Sequence, residues 1–177
     1  MSALSIAFET TLLLSILLAC TWFGMLYFVA TVAMPGFGAV LPDKDFLKAF
    51  KAIDNIFQGQ IPLFVKIPLF GSVLVMIAAT VLGALESNNG NDSVYAGLLY
   101  AALVLYIISY ITTFRFNIPL NNTVQALDMD NMSDDEWHNA RLAFEAPWNF
   151  WNIFRVAAEL VACICLILVL FFYERDA

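Results

Sequence analysis

Two short stretches hold most of the side chains in this sequence that could do chemistry: FNIPLNN, residues 116–122, and WNFWNIFR, residues 148–155. Each adjoins a long apolar run. Along the first run and stretch, Tyr106, Ser109 or Tyr110, Thr113, Asn117 and Asn121 recur at steps of three and four. Along the second, Trp148, Asn152, Arg155 and Glu159 do the same. Such spacing places each set on one face of a helix. Amides and a guanidinium can face developing negative charge on a substrate oxygen, and a carboxyl can move a proton. Arg155 and Glu159 are four residues apart, so they can also pair with each other. Lys66, between Pro62 and Pro68, is a further cation for the same cavity.

The elements that must position these groups are membrane helices. Of the 177 residues, 62% are hydrophobic and 13% charged, against roughly 45–50% and about 25% in soluble domains. Mean hydropathy is +0.80. Four runs are long enough, or nearly so, to cross a hydrocarbon core of about 30 Å, at about 8–34, 61–86, 93–116 and 148–173. The expected fold is therefore all-α: a single integral membrane four-helix bundle over residues 1–177, with an interfacial amphipathic helix between helices one and two. The first run lacks a basic leader and ends in MPGFG, so it reads as a span and not a cleaved signal. Lys44, Lys48, Lys51 and Arg141 fall in the two longer loops. That distribution predicts loops 35–60 and 117–147 on the cytoplasmic side and both termini outside.

The loops have local structure of their own. In Pro42–Gln58, Phe46, Phe50, Ile53 and Phe57 fall on one face and Lys44, Lys48, Lys51 and Asn55 opposite, with Asp43 placed to cap the helix. Such a helix can lie in the interface and attract anionic lipid, or close the bundle mouth as a lid. SDDE, Ser133–Glu136, is a capping box for a helix expected to run to about Ala146, where Pro147 would open helix four. His138, Arg141 and Glu145 share a face there that reads as solvated.

A polar stripe at membrane depth should face the bundle interior or a water-filled cavity, because lipid cannot satisfy it. Two readings fit the stripes equally: a hydrogen-bond clamp locking the bundle, or an active cavity. All these groups except Tyr106 and Glu159 gather at one end, which favours a cavity open on the cytoplasmic side. One histidine, no Glu-x-x-His motif, no phosphate loop and no zinc spacing leave no expected metal site and no expected cofactor. Cys20, Cys163 and Cys165 read as small packing residues. The net charge of −7 gives no reason to expect nucleic acid.

GMLYFVATVAMPGF (24–37), FKAIDNIFQGQIPLF (50–64), FNIPLNN and WNFWNIFR together resemble four blocks of the anthrone oxygenase-like membrane proteins, in order and over nearly the whole chain. The resemblance implies a small four-helix membrane protein. Its characterised members convert an anthrone to an anthraquinone with O2 and are not known to need a cofactor. It also implies a site at Asn117, Pro119, Asn121, Trp148, Trp151, Asn152 and Arg155. Asn152 stands where some members have His, which removes one general base.

On that reading the substrate is a flat, phenolic, membrane-soluble compound. Trp148 and Trp151 would wall it, Arg155 and Lys66 would face a phenolate, and Asn117 and Asn121 would donate hydrogen bonds. Glu159 or Tyr110 would serve as base. The competing expectation is non-enzymatic: a lipid- or quinone-binding protein or an accessory subunit. Its partners would be membrane lipids and a hydrophobic small molecule, within a homo-oligomer or larger membrane complex. Gly71, Ala78, Ala79 or Gly83 would then offer a helix-packing face.

Overall fold

The computed structural model describes residues 2–59, 61–87 and 94–176, with side chains as far as Tyr173. Residues 88–93, including the expected start of helix three at 93, and the side chain of Arg175 lie outside the described residues. Every regular element among the described residues is helical. The chain is all-α, and four of its helices are long and apolar enough to cross a membrane: Ala3–Val40, Leu63–Ser87, Val94–Gln125 and Asp134–Tyr173.

Three of these four carry a widened turn. The first joins α1 (Ala3–Phe28) to α2 (Met34–Val40) through Val29–Ala33. After α3 (Asp43–Gln58), the second joins α4 (Leu63–Lys66) to α5 (Ser72–Ser87) through Ile67–Gly71. The third joins α6 (Val94–Thr112) to α7 (Ile118–Gln125) through Thr113–Asn117. Each widened turn has a proline beside or inside it: Pro35, Pro68 and Pro119. Proline lacks the N–H that the carbonyl four residues back requires, and a π-turn passes that defect without ending the helix. FNIPLNN is therefore not the mouth of a helix. It continues the third helix to Gln125, nine residues beyond the expected end at about 116.

Pro147 differs: it lies inside α8 (Asp134–Asp176), which is one unbroken α-helix with no widened turn. The sequence led us to expect two helices meeting at this proline. The carbonyl of Ala143 loses its partner, but Phe144 and Trp148 on either side of the defect pack onto Phe50 of α3, at ring distances of 4.4 and 5.3 Å. Aromatic packing across the proline thus splints the helix. The SDDE capping box starts it as expected: the Ser133 N–H donates to Glu136 Oε2 at 2.7 Å.

The interior has two parts. Phe8, Leu12, Ala19, Trp22, Met76, Leu99, Tyr106 and Leu166 fill the middle of the bundle. Met34, Phe46, Leu47, Phe50, Val124, Trp137, Phe144 and Trp148 fill the end covered by α3. The outer faces are apolar as well, with Leu17, Leu74 and Phe150 each more than 60% exposed, as expected of helices that meet lipid on one side and each other on the other. Gly83 points inward: a Cβ there would meet Leu99 at 2.5 Å and Phe8 at 2.9 Å. Ala79 is fully buried. These two small residues serve packing within the bundle and do not form an outer face for a partner. All three cysteines are free, Cys163 buried and Cys20 and Cys165 half-buried.

On α3 the buried residues are Phe46, Leu47, Phe50 and Asp54. The expected apolar face is rotated: Ile53 is exposed and Asp54 takes the inward position. Asp43 does not cap the helix either. Pro42 holds the cap position, and the Asp43 carboxylate accepts from Arg141 Nη1 at 3.0 Å and meets His138 Nδ1 at 2.9 Å. Arg141 also bonds Glu145, the carbonyls of Gly38 and Leu41, and lies 4.3 Å over the Phe46 ring. His138 is exposed, as the sequence suggests, whereas Arg141 on the same face is covered and ties α8 to the start of α3.

Candidate functional site

The two polar stripes meet along the seam between the third helix and α8, and they separate into two networks. The outer network centres on Asp54, which is 5% exposed. Its Oδ1 accepts from Asn121 Nδ2 at 2.7 Å, and its Oδ2 accepts from Gln125 Nε2 at 2.7 Å and Gln58 Nε2 at 2.6 Å. Asn121 in turn accepts from the indole N–H of Trp148 at 2.7 Å. Lys51, expected on the solvent side, donates to the carbonyl of Gln125 at 2.8 Å. Three elements, α3, α7 and α8, are thereby joined through one carboxylate.

The inner network lies deeper along α8. Arg155 donates from Nε and Nη2 to Asn152 Oδ1, at 3.0 and 2.7 Å, and from Nη1 to Thr113 Oγ1 at 3.1 Å. Its guanidinium lies 5.9 Å from the Trp148 ring centre. Glu159, fully buried, accepts from Ser109 Oγ at 2.6 Å. The expected pairing of Arg155 with Glu159 does not form: no ion pair joins them among the described residues. Side chains on a helix lean toward its N-terminus, so Arg155 reaches back over Asn152 while Ser109 takes Glu159. Asn117 Nδ2 donates to the Trp148 carbonyl at 3.3 Å.

The two networks differ in completeness. Asn117 Oδ1, Asn152 Nδ2 and Glu159 Oε2 are buried and have no hydrogen-bond partner among the described residues, although the Trp22 side chain lies close enough to bear on the Glu159 carboxyl. Leaving a buried polar group unpaired costs about 1–3 kcal/mol, so folds rarely retain several together. Asn152 and Glu159 adjoin Arg155. Asn117, one turn along the third helix from the Arg155 partner Thr113, bonds the Trp148 carbonyl. In type the three atoms are an acceptor, a donor and a carboxyl oxygen. A ligand with a hydroxyl, a carbonyl and a removable proton would complete all three. Among the described residues no cluster of His, Cys, Asp or Glu is placed to hold a metal ion.

The structure thus brings together Asn117, Asn121, Trp148, Asn152, Arg155 and Glu159. It keeps three other candidates apart. Trp151 stacks on Phe116 at 3.7 Å with the rings 4° from parallel, on the outer side of α8, between the edges of Phe150 and Phe154. Lys66 is exposed at the end of α4. Tyr110 turns toward helix two, where its hydroxyl donates to the carbonyl of Leu69. Asp54 and Gln125 are the participants that the sequence reading missed. The available signal was the spacing of Phe46, Phe50, Asp54 and Gln58, four apart on one helix face.

The family model described as anthrone oxygenase matches residues 63–165, which is more than half of the chain and includes both stripes. The chain belongs to the anthrone oxygenase family. No curated relative and no solved structure matches it. In this member of the anthrone oxygenase family, the matched segment carries the whole inner network, whereas Asp54 and α3 lie before it. With four apolar helices of spanning length, the protein is an integral membrane protein.

Proposed function

We propose that this member of the anthrone oxygenase family oxidises a flat, phenolic, membrane-soluble substrate with O2 at the inner network. The observation that carries the proposal is the pair of buried, unpartnered amide atoms Asn117 Oδ1 and Asn152 Nδ2 in the network that holds Arg155 and the buried Glu159 carboxyl. In a hydroxylated anthrone a CH2 group lies between two aryl rings, opposite a ketone, and the rings carry phenolic hydroxyls. Glu159 takes a proton from that CH2, and the charge moves to the ketone oxygen, where Arg155 and Asn152 Nδ2 meet it. Asn117 Oδ1 accepts from a phenolic hydroxyl. The electron-rich carbon passes its electrons to O2 and becomes a hydroperoxide. Loss of water then leaves a second ketone, so CH2 and O2 become C=O and H2O. Asn121, already engaged by Trp148 and Asp54, acts by holding Trp148 as a wall and does not touch the reacting atoms.

The test is quinone formation and O2 uptake by the purified protein with an anthrone, measured above the spontaneous oxidation of the substrate. Glu159→Gln should lower the rate at least a hundredfold, as loss of a general base typically does. Arg155→Leu should raise KM for ionised phenols more than for neutral analogues. A parent protein no faster than spontaneous oxidation would sink the proposal.

A second reading has its own observation. No buried polar side-chain atom of the outer network lacks a partner among the described residues, which is how a structural latch looks. On this reading the protein is an accessory or a lipid- or quinone-binding subunit held shut by Asp54, and binding of a quinone without turnover would favour it. Under either reading we place loops 35–60 and 117–147 on the cytoplasmic side and both termini outside. The concentration of Lys44, Lys48, Lys51 and Arg141 in those loops supports this placement. The basic face of α3 would there meet anionic lipid.

A further inference from the structure

A groove of about 400 Å³ runs along the outside of the bundle between helices two and three, lined by Val73, Ile107, Tyr110, Ile111, Phe114 and Arg115. That volume falls within the range of about 300–1,000 Å³ typical of small-molecule sites. Beside the groove, in the widened turn Ile67–Gly71, the carbonyl of Leu69 accepts from the Tyr110 hydroxyl and from Ser72 Oγ at 3.3 Å. This bridge holds the two helices in register beside Val73, with the groove alongside. The third-helix wall faces the bilayer: Ile107, Ile111 and Phe114 are 42%, 58% and 61% exposed. From Ile107 to Arg115 the wall extends about 12 Å at the helical rise of 1.5 Å per residue.

The uncharged run 94–114 is as long as a hydrocarbon core of about 30 Å is thick, so Arg115 at its end is placed to meet headgroups. It is exposed and makes no ion pair among the described residues, and its guanidinium lies 5.6 Å from the Phe116 ring centre. An apolar trough ending in an unpaired guanidinium at headgroup depth matches one kind of occupant. The trough fits an acyl chain, and the planar fork of arginine fits a phosphate.

We propose that this groove is a phospholipid site, with an acyl chain along Ile107, Ile111, Phe114 and Val73 and the phosphate on Arg115. A lipid with net negative charge is favoured, because Arg115 has no carboxylate of its own to neutralise it. The site is separate from the inner network, and its test involves no oxidation.

The experiment is native mass spectrometry of the purified full chain with added phosphatidylglycerol or phosphatidylcholine. One phosphatidylglycerol should be retained in preference to phosphatidylcholine. Arg115→Gln should weaken that retention about fivefold, the factor that roughly 1 kcal/mol per surface arginine represents. Lys66→Gln, which removes an exposed cation outside the groove at the same end of the bundle, should leave retention unchanged. Ile111→Trp, a substitution at an exposed position that fills the groove, should also reduce it. Equal retention of the two lipids, or an equal loss in Lys66→Gln and Arg115→Gln, would overturn the proposal. Displacement of the lipid by an anthrone would assign the groove to the substrate and overturn it as well.

Discussion

Replacing Asp54 with alanine should release α3 from the bundle. The carboxylate accepts from Asn121 and Gln125 across the α3–α7 contact, both at 2.7 Å, and from Gln58 on its own helix at 2.6 Å. Interhelical hydrogen bonds in membrane proteins contribute about 0.6 kcal/mol on average and up to about 1.7. Removing the acceptor also strands the amides of Asn121 and Gln125, each half-buried and so partly open to water. Two lost cross-contacts and two stranded donors give roughly 2–3 kcal/mol in total. At about 2–4 °C per kcal/mol for a chain of this size, the melting temperature should fall by about 4–12 °C. Asp54→Asn keeps one acceptor oxygen and should lose about half as much. Thermal unfolding followed by tryptophan fluorescence measures the first effect, because Trp148 reports on Asn121. Amide exchange over residues 43–58 measures the second, and protection should drop there well before the spans exchange. If Asp54→Ala left both the melting temperature and the exchange of 43–58 unchanged, the latch reasoning would be refuted.

Pro147→Ala should stabilise the protein, since α8 already runs straight through this position and alanine restores the N–H that Ala143 lacks. The gain is bounded by the roughly 3 kcal/mol helix penalty of proline, and a lower melting temperature would contradict it. Trp151→Ala should cost about 1 kcal/mol through its stack on Phe116 and leave turnover unchanged, because the ring lies outside the inner network; a large fall in kcat would show otherwise. The hydrogen bond from His138, opposed by slight burial and aided by Arg141, holds the Asp43 carboxyl below its ordinary 3.8. A depressed carboxyl contributes stability that is complete above its unfolded value and is lost as pH falls through the folded one. Exchange at the start of α3 should therefore quicken below about pH 3.8, and Asp43→Asn should remove that dependence.

Much of the candidate site's arrangement was legible because its residues repeat at helical spacing. Asn117, Asn121, Trp148, Asn152, Arg155 and Glu159 had to share faces, and faces carrying polar groups had to turn inward. Asp54 was hidden by a different effect. In the α3 sequence the apolar stripe can be drawn through Ile53 or through Leu47 and Asp54, and only the amides of α7 make the second choice favourable. Pro147 misled for a similar reason: proline usually marks a helix boundary, and nothing local announces that Phe50 will pack across the defect.

What the sequence by itself determined are the properties that depend on composition and period: the membrane class, the four spans, the capping box at Ser133 and the facing of each stripe. What only the tertiary structure decided is which groups meet. Arg155 bonds Asn152 and Thr113 and not Glu159, Trp151 and Lys66 point outward, and Asp54 gathers three amides. Period fixes the direction of a side chain about its own helix. A hydrogen bond also requires a second helix at a particular height and within about 3 Å of the donor, and no local stretch of sequence carries that distance.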